Sequence, residues 1–399
     1  MNDSALVIAA YLIAVLAIGA FGRRIKGLED FHLAGRSIKL VYLTGTFCAS
    51  IIGASSTLGM AGIGFSSGLP GAWWMLSGTA GLLVLAVLFA GRVRKTGCYT
   101  LPELVGTFYG QRARCAAAVL IVISWIGVVA VQIQASGKVL GAVLGGDQTL
   151  FMAACAAVFV LYTMHGGQSS VIKTDLVQLL IILAGMIVLF TSAWEAAGPE
   201  LLSGQSFPTS PQMGGWDVLT MLVVVGSAYL VGPDMHSRML SAHSPGEARA
   251  SAAISALILI PLAFIITSLG IFAHSLYPAA SPEEAIPLLM TGLLSPALQG
   301  LVAAAMLAAF MSSADTSLMT AASIFTLDIF RKAFSNSGEH RLMAVSRISV
   351  AIIGLSALAP AVSMPGFIKT LLISYTVFTS CLLLPVIAGF YKERLGLTS

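Results

Sequence analysis

Between Leu307 and Asp328 the chain reads LAAFMSSADTSLMTAASIFTLD, which sets hydroxyls and carboxylates into an otherwise apolar run. Ala309, Ser312, Ser313 and Thr316 follow i, i+3, i+4, i+7 spacing. On a helix, one backbone carbonyl and three hydroxyls therefore lie along a single face. A row of small, hard oxygen ligands suits an alkali cation better than a soft metal. The plainer reading is that serines and threonines in a membrane helix only hydrogen-bond neighbouring helices. Asp315 in the same run weighs against it, because an intramembrane acid is costly and by default marks a functional position.

Such a face needs a membrane-spanning frame, and the composition supplies one. Hydrophobic residues make up 57% of the 399 residues and charged residues 10%, with a mean hydropathy of +0.92. That balance excludes a soluble domain. Many apolar runs are long enough to cross a hydrocarbon core of about 30 Å as helices, and the short alternating strands of a barrel are absent. The five cysteines are odd in number and show no CxxC spacing, so neither a disulfide framework nor a metal knot follows. The net charge of +4 is spread between the spans, which argues against a nucleic-acid partner. Residues 1–22 lack a basic leader region and a small-residue cleavage site and are read as a retained span.

Eleven spans are expected at roughly 4–22, 41–66, 69–91, 113–144, 148–166, 170–194, 216–240, 248–276, 292–331, 342–362 and 366–391. The odd-numbered connections and the tail then hold nineteen of the 21 Lys and Arg residues, from Arg23, Arg24 and Lys26 to Lys392 and Arg394. By the positive-inside rule the N-terminus is outside and the C-terminus cytoplasmic, in a multi-pass protein of the cytoplasmic (inner) membrane. The expected fold is an all-α polytopic membrane protein forming a single transmembrane domain over 1–399.

Two spans are interrupted in ways a simple anchor does not need. The second has Gly45, Gly53, Gly59, Gly62 and Gly64, with Ser55, Ser56 and Thr57 near its middle. The seventh carries Gly226 and then Gly232-Pro233, where the proline must bend or break the helix. Broken backbone at membrane depth is tolerated only where it lines a cavity or is buried in protein. If the second span is the first of a core, the broken members are core helices one and six. They head two five-helix halves, at about 41–194 and 216–391, behind an extra helix at 4–22. This is the pattern of an inverted-repeat transporter.

Five segments carry a resemblance to a known family: EDFHLAGRSI (29–38), YTLPELVGTFYG (99–110), KTDLVQ (173–178), RMLSA (238–242) and AAFMSSADTSLMTAASIFTLDI (308–329). Each is weak alone, but in this order and spacing the chain resembles the sodium:solute symporters, the group of sodium/proline, sodium/glucose and sodium/sialic acid carriers. The resemblance implies a LeuT-type 5+5 inverted repeat with one extra N-terminal helix, eleven helices in all. It implies Na+ as the coupling ion, with no organic cofactor. It also implies a sodium site made by the carbonyls of Ala49, Ile52 and Ala309 with the hydroxyls of Ser312 and Ser313. A further cation site in some members maps onto Asp175, Asp315 and Thr316. Asp175 is otherwise read as a solvated acid beside Lys173, and Asp315 as a partner for a basic residue or a proton carrier.

The resemblance fades where the solute would bind. The acid that proline carriers place before the break corresponds to Ile51, and the acid and amide of the sugar carriers correspond to Ser55 and Ser56. Small hydroxyls at a half-helix N-terminus suit a compact anion, so an amino acid or small organic acid is favoured over a sugar. Candidate cavity residues are Ser55, Ser56, Thr57, Gln132, Tyr229 and Tyr375, with Gln134, Thr376, Trp73 and Trp74 behind them. The paired tryptophans are more simply read as interfacial. Asp234, His236 and Arg238 form either an inner gate network or a solvated helix end.

The sequence thus points to a sodium-coupled secondary active symporter that imports a small organic solute through the bilayer by alternating access. Proton coupling through Asp175 or Asp315 is the alternative within transport. A solute sensor that binds without concentrating is the alternative outside it. The chain ends soon after the last span without a kinase-like region, which weighs against a one-chain sensor; homo-oligomerisation and a separate signalling partner stay open. With no HExxH, GxSxG or P-loop, nothing points to an enzyme or an ATP-driven pump.

Overall fold

The computed structural model describes residues 3–20, 25, 27–364 and 366–391; apart from two isolated β-bridges, their regular secondary structure is helical. Arg23, Arg24, Lys26, Lys392 and Arg394, used above to set the topology, lie outside the described residues. The first helix, α1, spans Asp3–Ala20. It is followed by a bent pair, α2 (Leu40–Ile51) and α3 (Ser55–Ser67), which meet at 62°. Then come α4 (Leu69–Lys95), α5 (Gln111–Leu144) and α6 (Gln148–Ala197). A second interrupted element follows, α7 (Gly215–Leu230) and α8 (Pro233–Ser241). The remaining long helices are α9 (Pro245–Leu276), α10 (Pro296–Ala333), α11 (Glu339–Ser363) and α12 (Phe367–Tyr391).

Both breaks fall where glycine and proline place them. Gly232 is extended (φ −61, ψ 122), and Pro233 takes the first position of α8, where its missing N–H costs no hydrogen bond. Helix α6 runs for 50 residues, or about 75 Å, too long for one crossing of a core of about 30 Å. Its backbone turns at Gly167 (φ 58, ψ −176), a left-handed φ that favours glycine. That turn falls in the gap between the expected spans 148–166 and 170–194.

Helix α10 is the central element: every residue from Val302 to Ile324 is buried, and it packs against α1, α2, α5, α6 and α11. Small residues allow close helix approach elsewhere. A Cβ at Gly270 in α9 would meet the Ala61 carbonyl oxygen of α3 at 1.9 Å, and one at Gly81 in α4 would meet that of Gly226 in α7 at 2.1 Å. Backbone contact of this kind is what holds helices together where lipid offers no hydrophobic contrast.

Two of the sequence segments noted above meet at one end of α10. Thr100 caps the short helix Leu101–Tyr109 by accepting from the Glu103 N–H at 3.1 Å, and Glu103 accepts in return from the Tyr99 N–H at 2.7 Å. The Thr100 hydroxyl also donates to Asp328 at 2.6 Å, and Arg114 of α5 pairs with the same carboxylate at 2.6 Å.

The tryptophan pair divides. Trp74 is buried, contrary to a purely interfacial role, because the chain turns it into the helix packing at the start of α4. Trp73 is partly exposed; its indole donates to the Pro208 carbonyl at 2.9 Å and stacks on Phe207.

Candidate transport site

The break between α2 and α3 frees carbonyls and an N–H deep in the protein, and each must find a partner. Ser312 of α10 donates to the Ala49 carbonyl at 2.8 Å and to the Ala309 carbonyl of its own helix at 3.0 Å. Ser313 donates to the Ser50 carbonyl at 2.9 Å. Two of the carbonyl oxygens expected for a sodium site, those of Ala49 and Ala309, thus lie within hydrogen-bond reach of the Ser312 hydroxyl. Ser313 is one residue along, and its hydroxyl lies 2.6 Å from where a Gly53 Cβ would stand. Ile52 is buried at the turn itself, with a backbone (φ −81, ψ 78) that leaves the helix.

Across the break, Gln132 of α5 accepts from the Ala54 N–H at 2.9 Å. The Ser56 hydroxyl donates to the Ile51 carbonyl at 2.8 Å and Thr57 to the Gly53 carbonyl at 2.8 Å. The first turn of α3 is widened, with the Gly59 N–H bonding the Ala54 carbonyl five residues back. Such π-turns often mark functional sites.

A small cavity lies beside this break. Its lining includes Ser55, Gln132, Tyr229 and Tyr375 from the expected set, together with Ser313, Ser317, Trp125 and Asp234. Ser56 and Thr57 are not part of the lining, since their hydroxyls are spent on carbonyls released by the break. Ser317 was legible in hindsight, as it follows Ser313 by one turn of the same helix. Trp125 carried no signal beyond its place in an apolar run. Gln134 points elsewhere and donates to the Met364 carbonyl at 3.0 Å. Among the described residues the lining has one acid, Asp234, and no Lys or Arg.

One turn further along α10 the chemistry changes. Asp175 of α6, read from sequence as a solvated acid or a cation ligand, is fully buried and pairs with Arg238 of α8 at 3.4 Å. It also accepts a hydrogen bond from Thr46 of α2. The same Arg238 Nη2 donates to Ser50 at 2.9 Å and to Thr316. Thr316 in turn donates to the Ser312 carbonyl at 2.8 Å, and its hydroxyl lies 2.9 Å from that of Ser50. Arg238 is therefore neither exposed nor at a solvated helix end. Asp315 accepts from Thr163 of α6 at 2.8 Å, while its second oxygen lacks a hydrogen-bond partner among the described residues. Asp175 and Thr316 are thus brought together through Arg238, and Asp315 makes no hydrogen bond to that group while lying close enough to interact electrostatically with Asp175 and Arg238.

A broken helix facing a hydroxyl-bearing helix, with a lined cavity at the break, is the arrangement of a carrier. The model of the sodium:solute symporter family matches residues 31–397. The chain belongs to that family. It is 30% identical to a sodium/glucose cotransporter of Vibrio parahaemolyticus over 403 aligned residues, covering 89% of this chain and 74% of the relative. It is 27% identical to sodium/glucose cotransporter 4 of Danio rerio, covering 87% of this chain and 61% of that one. The human sodium/myo-inositol cotransporter is 25% identical, with 88% and 58% covered. The chain thus spans between about three-fifths and three-quarters of the length of these relatives. Among solved structures, a Na+-coupled sialic acid symporter in a substrate-bound outward-open state superposes with a TM-score of 0.83 at 18% identity, covering 99% of this chain and 88% of that chain. Mhp1, a nucleobase-cation-symport-1 family transporter in a closed conformation, superposes with a TM-score of 0.68 at 15% identity, covering 94% and 83%. The fold is accordingly that of the LeuT-type transporters, in a multi-pass membrane protein; the relatives are carriers rather than enzymes.

Proposed function

We propose that this chain is a sodium-coupled symporter that imports a small polar solute by alternating access. The observation that carries the reading is the Ser312 hydroxyl held between the Ala49 and Ala309 carbonyls, across the break in the α2/α3 pair. Ala49, Ile52, Ala309, Ser312 and Ser313 offer five neutral oxygens, which can replace a hydration shell without binding the ion too tightly to release it. Sodium in this position ties α2 to α10 and so favours one arrangement of the broken helix. Solute affinity at the neighbouring cavity is then linked to ion affinity.

The eleven-span reading counts α1 as one span, each interrupted pair as one, and α6 as two. We place α2 to α6 (about 41–194) in the first five-helix repeat and α7 to α12 (about 216–391) in the second. The N-terminus is outside and the C-terminus cytoplasmic, in a cytoplasmic membrane.

The cavity lining moves the solute class away from the anion favoured by the sequence. The Ala54 N–H at the start of the half-helix already has Gln132 as acceptor, and Asp234 brings a carboxylate to the lining. A neutral hydroxylated solute suits this lining better: Gln132, Ser55 and Asp234 bond to hydroxyls, and Trp125, Tyr229 and Tyr375 offer aromatic faces. The glucose and myo-inositol carriers among its relatives support the same class. An amino acid or small organic acid is the second reading, resting on Ser55 and the helix dipole at the start of α3.

A thermal-shift screen of purified protein against sugars, polyols, amino acids and organic acids, with and without sodium, separates these classes, because a ligand of the native state raises apparent stability. The expected result is sodium-dependent stabilisation by a sugar or polyol. Stabilisation by carboxylates alone overturns the neutral-solute reading. A solute taken up into vesicles on a pH gradient without sodium overturns sodium coupling, and a solute that binds but is never accumulated marks a sensor.

A further inference from the structure

Away from the transport site, a cavity of about 280 Å³ at the end of α10 carries three cations on its wall. It is lined by Arg114 of α5, Glu103 of the short helix Leu101–Tyr109, and Leu327, Arg331, Lys332 and Ser335 on and just past the end of α10. We propose that this cavity binds the headgroup of an anionic phospholipid, with the lipid phosphate held by Arg331, Lys332 and the Ser335 hydroxyl. In the orientation proposed above the lipid belongs to the cytoplasmic leaflet. The site itself depends neither on that orientation nor on sodium coupling.

The charges at this end of α10 are unevenly spent. Arg114 is taken up by Asp328 at 2.6 Å and by Glu103 at 3.4 Å, and Glu103 also accepts the Tyr99 N–H at 2.7 Å. Glu339, the one acid in the stretch 331–341, accepts the Leu28 N–H at 2.8 Å. Each carboxylate nearby therefore has a partner. Arg331 and Lys332 are exposed and have no ion pair or side-chain hydrogen bond among the described residues. Cations in a last helical turn offset the helix dipole, which accounts for their place on α10 but not for the cavity they share with Arg114. Two unspent cations and a hydroxyl on one wall match a phosphate group, which accepts charge-assisted hydrogen bonds from all three.

The neighbouring side chains choose a lipid over a free phosphate. Phe330 and Phe334, which flank Arg331 and Lys332 in sequence, pack with ring centroids 4.8 Å apart, and Phe334 is 51% exposed. Arg341 of α11 lies 5.5 Å from both rings and adds a third cation without a carboxylate partner among the described residues. Aromatic rings and cations together at the end of a membrane-spanning helix belong to the interfacial layer, and basic pockets at that depth take lipid headgroups. A lipid meets charge and exposed apolar surface at once, whereas inorganic phosphate uses only the charge. The unspent cations favour a net negative headgroup, because the choline or ammonium group of a zwitterionic one is repelled. Glu103 on the same wall suits a hydroxyl, as in a glycerol headgroup.

The test is a titration of the purified full chain with phosphatidylglycerol, phosphatidylcholine and phosphatidylethanolamine of matched acyl chains, read by thermal unfolding and by lipid retained in native mass spectrometry. Phosphatidylglycerol is expected to raise the unfolding temperature and to stay bound. An equal effect of either zwitterionic lipid overturns the proposal, and this arm needs no variant. An equal effect of glycerol phosphate at matched concentration overturns the lipid as the source of the phosphate. Arg331→Gln combined with Lys332→Gln, both exposed, is expected to fold as the wild type does and to bind phosphatidylglycerol at least about tenfold more weakly. Arg331→Lys combined with Lys332→Arg is expected to keep wild-type lipid binding. Undiminished phosphatidylglycerol affinity in the double glutamine variant overturns the proposal. Sodium binding measured on the same samples reads the transport function separately, and its absence would leave the lipid site standing.

Discussion

One face of α10 carries two neighbouring polar groups that solve the same problem in opposite ways. Around Ser312 and Ser313 the partners are neutral: hydroxyls and the carbonyls of Ala49, Ser50 and Ala309. One turn further, around Thr316, they are charged, with Asp175 and Arg238 locked together out of contact with water. A neutral oxygen set can gain and lose a small ion at modest cost, because neither state leaves a bare charge. A buried ion pair cannot do this, since removing either member strands the other. The difference teaches that the buried polarity on this face is of two kinds, a neutral oxygen set and a buried ion pair, joined by Ser50 and Thr316.

Substitutions that separate the two groups should differ in size and kind. The largest expected loss of stability is from Asp175→Ala, which strands the buried Arg238 charge and should cost on the order of 3–5 kcal/mol. A double replacement, Asp175→Leu with Arg238→Met, should recover much of that loss in thermal unfolding of the purified protein. Equal instability of the single and double variants would remove the ion pair from the account. Next comes Gly53→Ala at the break. Its new Cβ would lie 2.6 Å from the Ser313 hydroxyl and 3.0 Å from Gln132 Oε1, so both must shift. A cost of about 1–3 kcal/mol is expected, together with weaker sodium binding, and wild-type sodium affinity in this variant would separate Ser313 from the ion site. The smallest effect is expected from Thr163→Val, which takes from Asp315 its hydrogen bond at 2.8 Å. A loss of about 1 kcal/mol with unchanged sodium affinity would keep Asp315 outside both groups, whereas altered sodium affinity would bring it back as a cation ligand.

Much of this contrast was legible in the sequence, and what was not has a physical reason. The breaks were legible because glycine and proline act locally: Gly53 and Gly232-Pro233 interrupt their helices where periodicity alone would have continued them. The Ser312/Ser313 face was legible from helical spacing, and its partner Ala49 from the family resemblance. Arg238 was not. It stands six residues after the break in a short polar helix, PDMHSRMLS, whose composition is equally that of a solvated end. Only tertiary packing, which brings α8 against α2 and α10, turns it inward. Nor could sequence show that Ser56 and Thr57 serve the backbone while Ser55 faces the cavity. That division depends on which carbonyls the break releases, and hence on the path of the chain through Ile52 and Gly53.

The most direct test of the central claim is equilibrium binding of radioactive sodium to the purified protein carrying Ser312→Ala and Ser313→Ala, compared with the wild type and with Thr163→Val. The neutral strip is predicted to be the ion site, so the double serine variant should fold but lose saturable sodium binding, while Thr163→Val retains it. Saturable binding of undiminished affinity in the folded double serine variant would contradict the account.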